Sequence, residues 1–295
     1  MKDLYLVAGI TKQALWKHGK RQELIREMIN QTLSILRQTR RTHKRMGCRA
    51  MYKAARITPL VGRDRFVEIG FEHGFRLKRR RNKRKTTWSQ NVEIFPNRIE
   101  GRTFNNINQL WQSDIFYHED QGQVFYGITI IDVYSRRLLA LHLSKSLRAQ
   151  ENVMALRKAI KCRVGQNLVG CIFHSDRGSQ YISEVHKKIL DQNGFKKSMC
   201  KLPQENAYAE RVQETIKNYY LCDVQLAGKD LNKVAGQILR KYNDEKPHLN
   251  LGMKTPTAFE KDVEKLSNRR KPKMVIFKWN HELSTQTELL TKRKK

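Results

Sequence analysis

Apolar residues between 22 and 38 recur every three or four positions, which is the spacing of one face of an α-helix. They are Leu24, Ile25, Met28, Ile29, Leu33 and Leu36. Before this amphipathic helix, residues 1–20 predict part of a helix-turn-helix, with Thr11 as the N-cap of its second helix. Two more short helices are predicted at 47–52 and 64–71, the second ended by Gly74. The pattern of residues 1–20 alone fits a DNA-reading motif and a plain helical hairpin equally well.

The pattern changes at Leu110, where short apolar runs separated by tight turns replace the helical spacing. The predicted elements are a strand ending at 115–117, strands at 123–133 and 137–143, a helix at 151–162, a buried strand at 169–173, and helices at 182–190 and 207–221. Three meandering strands followed by a helix, a buried strand and flanking helices predict an α/β layered domain. This order matches the ribonuclease-H-like fold, a mixed five-stranded sheet with flanking helices.

These elements divide the chain into five segments. They are a partial helix-turn-helix and amphipathic helix (1–40), a helical DNA-binding unit with a basic arm (41–85), a linker (86–105), the α/β core (106–262) and a basic C-terminal tail (263–295). The fold class expected is therefore α/β, preceded by small all-α helix-turn-helix units.

Basic residues far outnumber acidic ones. The chain has 59 Lys and Arg against 28 Asp and Glu, a net charge of +31, and residues 1–100 (25 basic, 8 acidic) carry +17 of it. Such a surplus suits a polyanion, because cations placed on phosphates release condensed counterions, although charge alone also fits a solvated basic surface. Eight of the ten residues 76–85 are basic and predict an arm along a DNA backbone. They are Arg76, Lys78, Arg79, Arg80, Arg81, Lys83, Arg84 and Lys85.

The five cysteines show no Cys-x-x-Cys pair and no zinc-finger spacing with histidine. They predict buried free thiols in a reducing cytoplasm. No apolar run approaches the ~20 residues that a bilayer-spanning helix needs, so no membrane partner is expected.

Three carboxylates lie where phosphodiester chemistry would need them. Two hard cations about 4 Å apart, held by oxygen ligands, can activate a nucleophile and stabilise a leaving oxygen. Asp114 lies inside the opening strand, where an acid is disfavoured, and Asp176 follows the buried strand, at the end where open α/β sheets bind ligands. Glu210 lies on the last predicted helix. Each alone has an ordinary explanation, a turn cap or a solvated helix face; the three in this order do not.

The surrounding residues resemble a known family. His174 to Tyr181 (HSDRGSQY), Trp111-x-x-Asp114 and Asn206-Ala-x-Ala-Glu210 resemble the catalytic motifs of bacterial insertion-sequence transposases of the IS-three family, second reading frame. These transposases are relatives of retroviral integrases. Downstream, a further set resembles the closing signature of the family, namely Tyr242-Asn243, Pro247-His248, Leu251-Gly252 and Thr255-Pro256. The resemblance extends over nearly the whole chain.

The resemblance implies a DNA transposase, a polynucleotidyl transferase with Asp114, Asp176 and Glu210 as catalytic and metal-binding residues. It implies Mg²⁺ as cofactor, two ions, with Mn²⁺ as a substitute. The enzyme would hydrolyse one strand at the element's end, and the freed 3′-hydroxyl would attack another phosphodiester. The partners implied are terminal inverted repeats, target DNA, a homodimer or larger synaptic complex, and a first-frame partner protein.

The third carboxylate has rivals. Only 33 residues separate Asp176 from Glu210, two fewer than is common in the family. The shortfall falls in the loop at 201–205, where a deletion is readily tolerated. It leaves Glu205 and Glu214 as competing ligands, with Glu210 preferred because it holds the motif position.

Several neighbours have smaller expected roles. Arg177, Gln180 and Lys217 are expected to contact DNA, and His174 to be either a substrate contact or a structural residue. Asp132 is interpreted as a brace of its hairpin, paired with Arg136. Two other functions stay open: a DNA-binding regulator with an inactive nuclease core, and a structure-specific nuclease of the same fold, which would cut without joining.

Overall fold

The computed structural model describes residues 11–55, 57–77, 95–200 and 202–276. The chain forms two units, Met1–Thr86 and Thr87–Lys295. The first helix of the partial helix-turn-helix, and all of the basic arm beyond Leu77, lie outside the described residues.

The first unit is built on one long helix. Helix α1 spans Lys12–Thr42, and the Thr11 hydroxyl accepts a hydrogen bond from the Ala14 amide at 3.1 Å, as an N-cap does. The cap was predicted correctly. The division into a short helix and a second helix from 22 was wrong, because α1 runs through Gly19 without interruption. A single glycine lowers helix stability by only about 1 kcal/mol, too little to break a helix that packs further along.

Two short helices complete this unit, α2 (Cys48–Ala54) and α3 (Arg63–Glu72), both where the sequence predicted them. Together with the C-terminal half of α1 they enclose an apolar cluster centred on Leu36, Met51 and Phe66. The N-terminal half of α1 lies outside this cluster, and Trp16 is 65% exposed. These helices form a small all-α unit; its DNA-binding role stays a prediction.

The second unit contains a mixed five-stranded sheet, as predicted. Its strands are β2 (Leu110–Asp120), β3 (Gln123–Asp132), β4 (Leu138–Ser144), β5 (Ile172–Ser175) and β6 (Lys196–Met199), in the order β4-β3-β2-β5-β6. Strand β2 is central, antiparallel to β3 and parallel to β5. Strand β5 begins three residues later than predicted and therefore extends to Ser175, directly before Asp176. The hydrophobic pattern did not locate β6, which is short and begins with two lysines.

Helices cover both faces of the sheet. On one face, α4 (Ala149–Cys162) and α5 (Glu184–Gln192) enclose a core that contains Trp111 and Phe173. On the other, α6 (Ala207–Thr215) and α7 (Leu231–Arg240) enclose a core that contains Phe116 and Ile131. Both α6 and α7 continue into π-helical turns, Ile216–Leu221 and Lys241–Glu245. Helix α8 spans Pro256–Glu264.

A two-stranded sheet joins residues near the beginning and the end of the described part of this unit. Strand β1 (Thr103–Phe104) pairs antiparallel with β7 (Met274–Val275), and Ile276 is buried against Ile99 and Phe104. Part of the expected linker and part of the expected basic tail thus contribute to packed structure. No helix among the described residues is long and apolar enough to cross a membrane.

A buried ion network lies under the β3–β4 hairpin. Asp132 is fully buried and accepts hydrogen bonds from the Tyr134 and Ser135 amides, so it braces the hairpin as predicted. Its ionic partner is Arg163 at 3.5 Å, which corrects the predicted pairing with Arg136. Arg163 also contacts Glu260 of α8 at 2.5 Å. Arg136 instead places its guanidinium 4.0 Å from the centre of the Tyr208 ring.

Candidate active site

The register of two parallel strands aligns Asp114 with Asp176. Trp111 and Gln112 of β2 pair with Phe173 and His174 of β5. The same offset of 62 positions, continued by two residues past the last paired couple, places Asp114 level with Asp176. Because side chains alternate along a strand, Asp114 shares the face of Gln112 and Phe116, which is the face that α6 covers.

The two aspartates interact electrostatically. Burial, first, and then the charge of Asp176 raise the pKa of Asp114 to about 8, while the Ile115 amide opposes the shift. Burial also raises the pKa of Asp176, and the Gly178 amide, which donates to its Oδ1 at 3.0 Å, opposes that shift. A β-carbon at Gly178 would lie 3.0 Å from the same oxygen, so a side chain there would require the Asp176 carboxylate to shift slightly. The site therefore concentrates negative charge that the protein leaves incompletely compensated.

Glu210 faces this pair from the first turn of α6. Its side chain is exposed, and its charge is among the causes that raise the pKa of Asp114. The two rivals are engaged elsewhere. Glu205 is buried and accepts from the Leu202 amide at 3.2 Å, and Glu214 pairs with Arg211 at 3.3 Å on the exposed side of the helix.

A set of buried polar groups attaches the start of α6 to β2. The Gln112 side chain donates to the Glu205 carbonyl at 3.0 Å and accepts from the Ala209 amide at 3.3 Å. The Asn206 side chain donates to the Ser113 carbonyl at 2.9 Å. Sequence reasoning missed Gln112, because a glutamine inside a strand gives no signal of the helix that it will contact 97 residues later.

The residues around Asp176 divide into structural and accessible ones. His174 is completely buried, and burial lowers its pKa to about 4, so it is neutral and bonded to the Ser198 hydroxyl at 2.9 Å. Of the two roles expected for His174, substrate contact and structural residue, its burial supports the second. Tyr181 is also buried, with its hydroxyl 3.0 Å from Ser113 Oγ. Arg177 is exposed, and its Nε donates to the Cys200 carbonyl at 3.1 Å.

Two of the residues expected to contact DNA lie near the carboxylates or their loop. Lys217 places its ammonium 5.8 Å from the centre of the Phe116 ring and acts to lower the pKa of Asp114. The Gln180 amide oxygen would lie 3.0 Å from a β-carbon at Gly178. In the basic arm, Arg76 stacks over Phe71 at 4.6 Å, and the other seven residues fall outside the described part of the chain.

The donor set suits a hard divalent cation. Asp114, Asp176 and Glu210 offer only oxygen, the ligand that Mg²⁺ and Mn²⁺ prefer, and a cation would relieve the repulsion that raises the pKa of Asp114. Among the described residues no three His, Cys, Asp or Glu side chains already lie close enough to enclose an ion. The candidate site thus consists of two electrostatically coupled aspartates, with Glu210 of α6 as its third carboxylate.

Comparison with known proteins identifies this unit. Residues 105–202 and 192–256 match two family models, each described as an integrase core domain. An uncharacterized 31 kDa protein of insertion element IS600 from Shigella sonnei is 32% identical over 219 residues, covering 70% of this chain and 78% of that protein. Transposase InsF of insertion sequence IS3A from Escherichia coli K12 is 28% identical over 158 residues, covering 52% of this chain and 54% of that protein.

Solved structures give a weaker likeness. The catalytic core domain of HTLV-2 integrase in complex with magnesium is 19% identical, with a TM-score of 0.41, and the match covers 52% of this chain and 97% of that one. So distant a likeness does not establish a fold, which rests instead on the family models and the strand order. Proteins with this core depend on a divalent metal and bind DNA. The chain belongs to the insertion-sequence transposases with an integrase-type catalytic core, enzymes that cleave and join DNA.

Proposed function

We propose that Asp114, Asp176 and Glu210 are the catalytic carboxylates of this transposase and hold two Mg²⁺ ions, with Mn²⁺ as a substitute. The observation that carries the proposal is the electrostatic effect of two other carboxylates on Asp114. Asp176 and Glu210 both raise the pKa of Asp114, although they come from different elements. Placing two further acids near a largely buried aspartate is costly for a protein unless a cation is part of the working state.

The metal would neutralise charge at the phosphorus and assist both the attacking and the leaving oxygen. The residues of the chain would do the rest. Strands β2 and β5 present two carboxylates in fixed register, and α6 adds the third from the side. Lys217, close to Asp114, would bind a phosphate oxygen next to the reacting one. Cleavage by water at the element's end and attack by the freed 3′-hydroxyl need no covalent bond to the protein, because the site acts through positioning and charge.

The DNA contacts follow the distribution of basic residues. Arg177 and Gln180 on the loop after β5, and Lys217 beyond α6, would bind the DNA end and the target strand near the carboxylates. Arg76 and the following basic arm would bind phosphates further along the DNA. Joining two ends requires a homodimer or larger complex, and a first-frame protein would add a second DNA-binding module. A DNA substrate also implies that the enzyme works at the bacterial nucleoid.

The test uses the full chain and DNA that carries the ends of its own insertion element. Asp176→Asn and Glu210→Gln should each lose cleavage and joining in Mg²⁺ by at least about 100-fold, the loss typical when one preorganised charge is removed. Glu214→Gln is the matched control, since it lies one turn further on the same helix and pairs with Arg211. Both catalytic variants should still bind the DNA, because removing negative charge does not weaken attraction to phosphate.

Other outcomes would overturn the assignment. Full activity of Asp176→Asn, or a loss in Glu214→Gln as large as that in Glu210→Gln, contradicts the proposed set. A wild-type chain that binds the ends without cutting them would be a regulator, and one that cuts without joining would be a nuclease.

A further inference from the structure

Glu210 differs from the two aspartates in how its position is set. Asp114 and Asp176 are placed by the hydrogen-bonded register of β2 and β5. The Glu210 side chain is exposed on α6, and its location relative to the sheet depends on how the first turn of that helix is attached. The attachment is therefore part of the geometry of the site.

The attachment is made by Gln112, whose side chain is completely buried between β2 and α6. The first turn of a helix has amides without partners inside the helix, and the side chain of the N-cap residue usually binds the third of them. Here the N-cap is Asn206, whose side chain makes no such bond. The third amide, Ala209, donates to Gln112 at 3.3 Å instead.

The Asn206 side chain points from the helix side back to β2 instead of capping the helix. Its amide donates to the Ser113 carbonyl at 2.9 Å, while Gln112 donates to the Glu205 carbonyl at 3.0 Å. Two buried side chains thus make three hydrogen bonds between adjacent residues of β2 and the segment 205–209, which leads into the first turn of α6. Gln112 lies two residues before Asp114, and Asn206 lies four residues before Glu210.

We propose that Gln112 is a positioning residue for the transposition reaction, which together with Asn206 fixes Glu210 relative to the aspartate pair. The inference rests on the proposed catalytic role of Glu210. Gln112 touches neither DNA nor the reacting atoms, and it acts through the placement of a helix. A misplacement of about 1 Å in a reacting group can cost about 100-fold in rate.

If Gln112 had only a structural role, its loss would lower stability without a specific effect on the reaction. The chain offers a control that distinguishes a structural role from a positioning role. Asn243 is another buried side-chain amide with two hydrogen bonds to backbone, accepting from the Leu138 amide at 2.9 Å and donating to the Leu138 carbonyl at 2.8 Å. It attaches α7 to β4, at the edge of the sheet, two strands away from β2. Gln112→Met and Asn243→Leu therefore remove the same kind of interaction, one beside the site and one distant from it.

The experiment measures DNA cleavage at saturating DNA over a range of Mn²⁺ concentrations. Gln112→Met should bind DNA normally, lose about 100-fold in kcat and need more Mn²⁺ for half-maximal cleavage. Asn243→Leu should lower the unfolding midpoint by about as much as Gln112→Met does, while leaving kcat and the Mn²⁺ requirement close to those of the wild type. If Gln112→Met does not fold, Asn206→Ser tests the same attachment from the helix side.

A second readout does not depend on activity. Mn²⁺ alone should raise the melting temperature of the wild type and of Asn243→Leu more than that of Gln112→Met, because only the last holds Glu210 loosely. Equal Mn²⁺-induced shifts, or a kcat loss in Asn243→Leu equal to that in Gln112→Met, would overturn the inference. The Glu210→Gln variant separates the positioning role of Gln112 from the proposed function. Full activity of Glu210→Gln would refute the proposed catalytic site itself. An inactive Glu210→Gln beside an unimpaired Gln112→Met refutes only the positioning role.

Discussion

Asp114→Asn should stabilise the protein in the absence of metal, although it removes a proposed catalytic group. The wild-type carboxylate is largely buried and lies beside Asp176, with Glu210 near, so its ionised form is disfavoured in the folded state. Asparagine has nearly the same shape and carries no charge. The substitution therefore removes the repulsion without leaving a cavity.

The magnitude follows from the pKa of Asp114, which is raised from 3.8 to about 8 on folding. Each factor of ten in the ionisation constant is worth about 1.36 kcal/mol, so the full effect above pH 8 would be about 6 kcal/mol. Asp114 keeps some contact with solvent, and solvent screens charge interactions, so we expect about 2 to 4 kcal/mol. The direction of the pH dependence follows from the raised pKa. The neutral form of Asp114 leaves the wild type fully stable below pH 4, and this stability is lost as the pH rises to about 8 and the carboxyl ionises.

Urea unfolding followed by circular dichroism, with EDTA present, measures this difference. At pH 4 the two proteins should unfold at nearly the same urea concentration. At pH 8 the variant should be the more stable, and adding Mn²⁺ should restore the wild type much more than the variant, because binding to the folded state alone adds stability.

The reasoning is refuted if the variant is less stable than the wild type at pH 8 in EDTA. A stability difference that is the same at pH 4 and pH 8 would refute it equally, because the effect would then not arise from ionisation of Asp114.

Three further predictions concern packing and charge. Arg163→Met should lower the free energy of unfolding by about 3 to 5 kcal/mol in a urea titration, because it leaves the buried Asp132 without its cation and Glu260 with Arg137 alone; a change below about 1 kcal/mol would contradict this. Gly127→Ala should destabilise the sheet, since its new β-carbon would lie 2.2 Å from the Phe116 ring, and Phe116→Leu in the same chain should recover part of the melting temperature. Lys217→Met should reduce the salt dependence of DNA binding, measured by fluorescence anisotropy, by about one phosphate contact; an unchanged slope would exclude a phosphate contact there.

Local patterns predicted most of the second unit. The β2–β3–β4 meander follows from apolar runs separated by turns at 120–122 and 134–136, and both turns lie where they were expected. Strand β6 was not located, because a four-residue strand that begins with two lysines carries no usable periodicity. The apolar spacing of the first unit predicted separate helices before and after residue 20, yet one helix runs through this point, since packing further along α1 outweighs the weak position at Gly19.

The site shows where such reasoning stops. Asp114 and Asp176 could be placed because strand ends and motif residues identify them in the sequence. The partner of Asp132 could not, because Arg163 lies 31 residues away and its selection depends on how α4 packs. Gln112 was missed for the same reason, as its contacts exist only after α6 has docked on the sheet.

The small sheet of β1 and β7 has a mechanical consequence. Thr103 lies opposite Val275, and the Gly101 amide donates to the Ile276 carbonyl at 2.9 Å, so residues near the two ends of the described part of this unit lie side by side. Adjacent ends make a domain tolerant of circular permutation and of insertion into another chain. Tension on the segment after Ile276 would load β7 directly, whereas the segment before β1 is also held by Arg98, whose amide donates to the Ser198 hydroxyl and whose Nε donates to the Lys197 carbonyl. A pull from the two sides would therefore be resisted at different places, the small sheet on one side and β6 on the other.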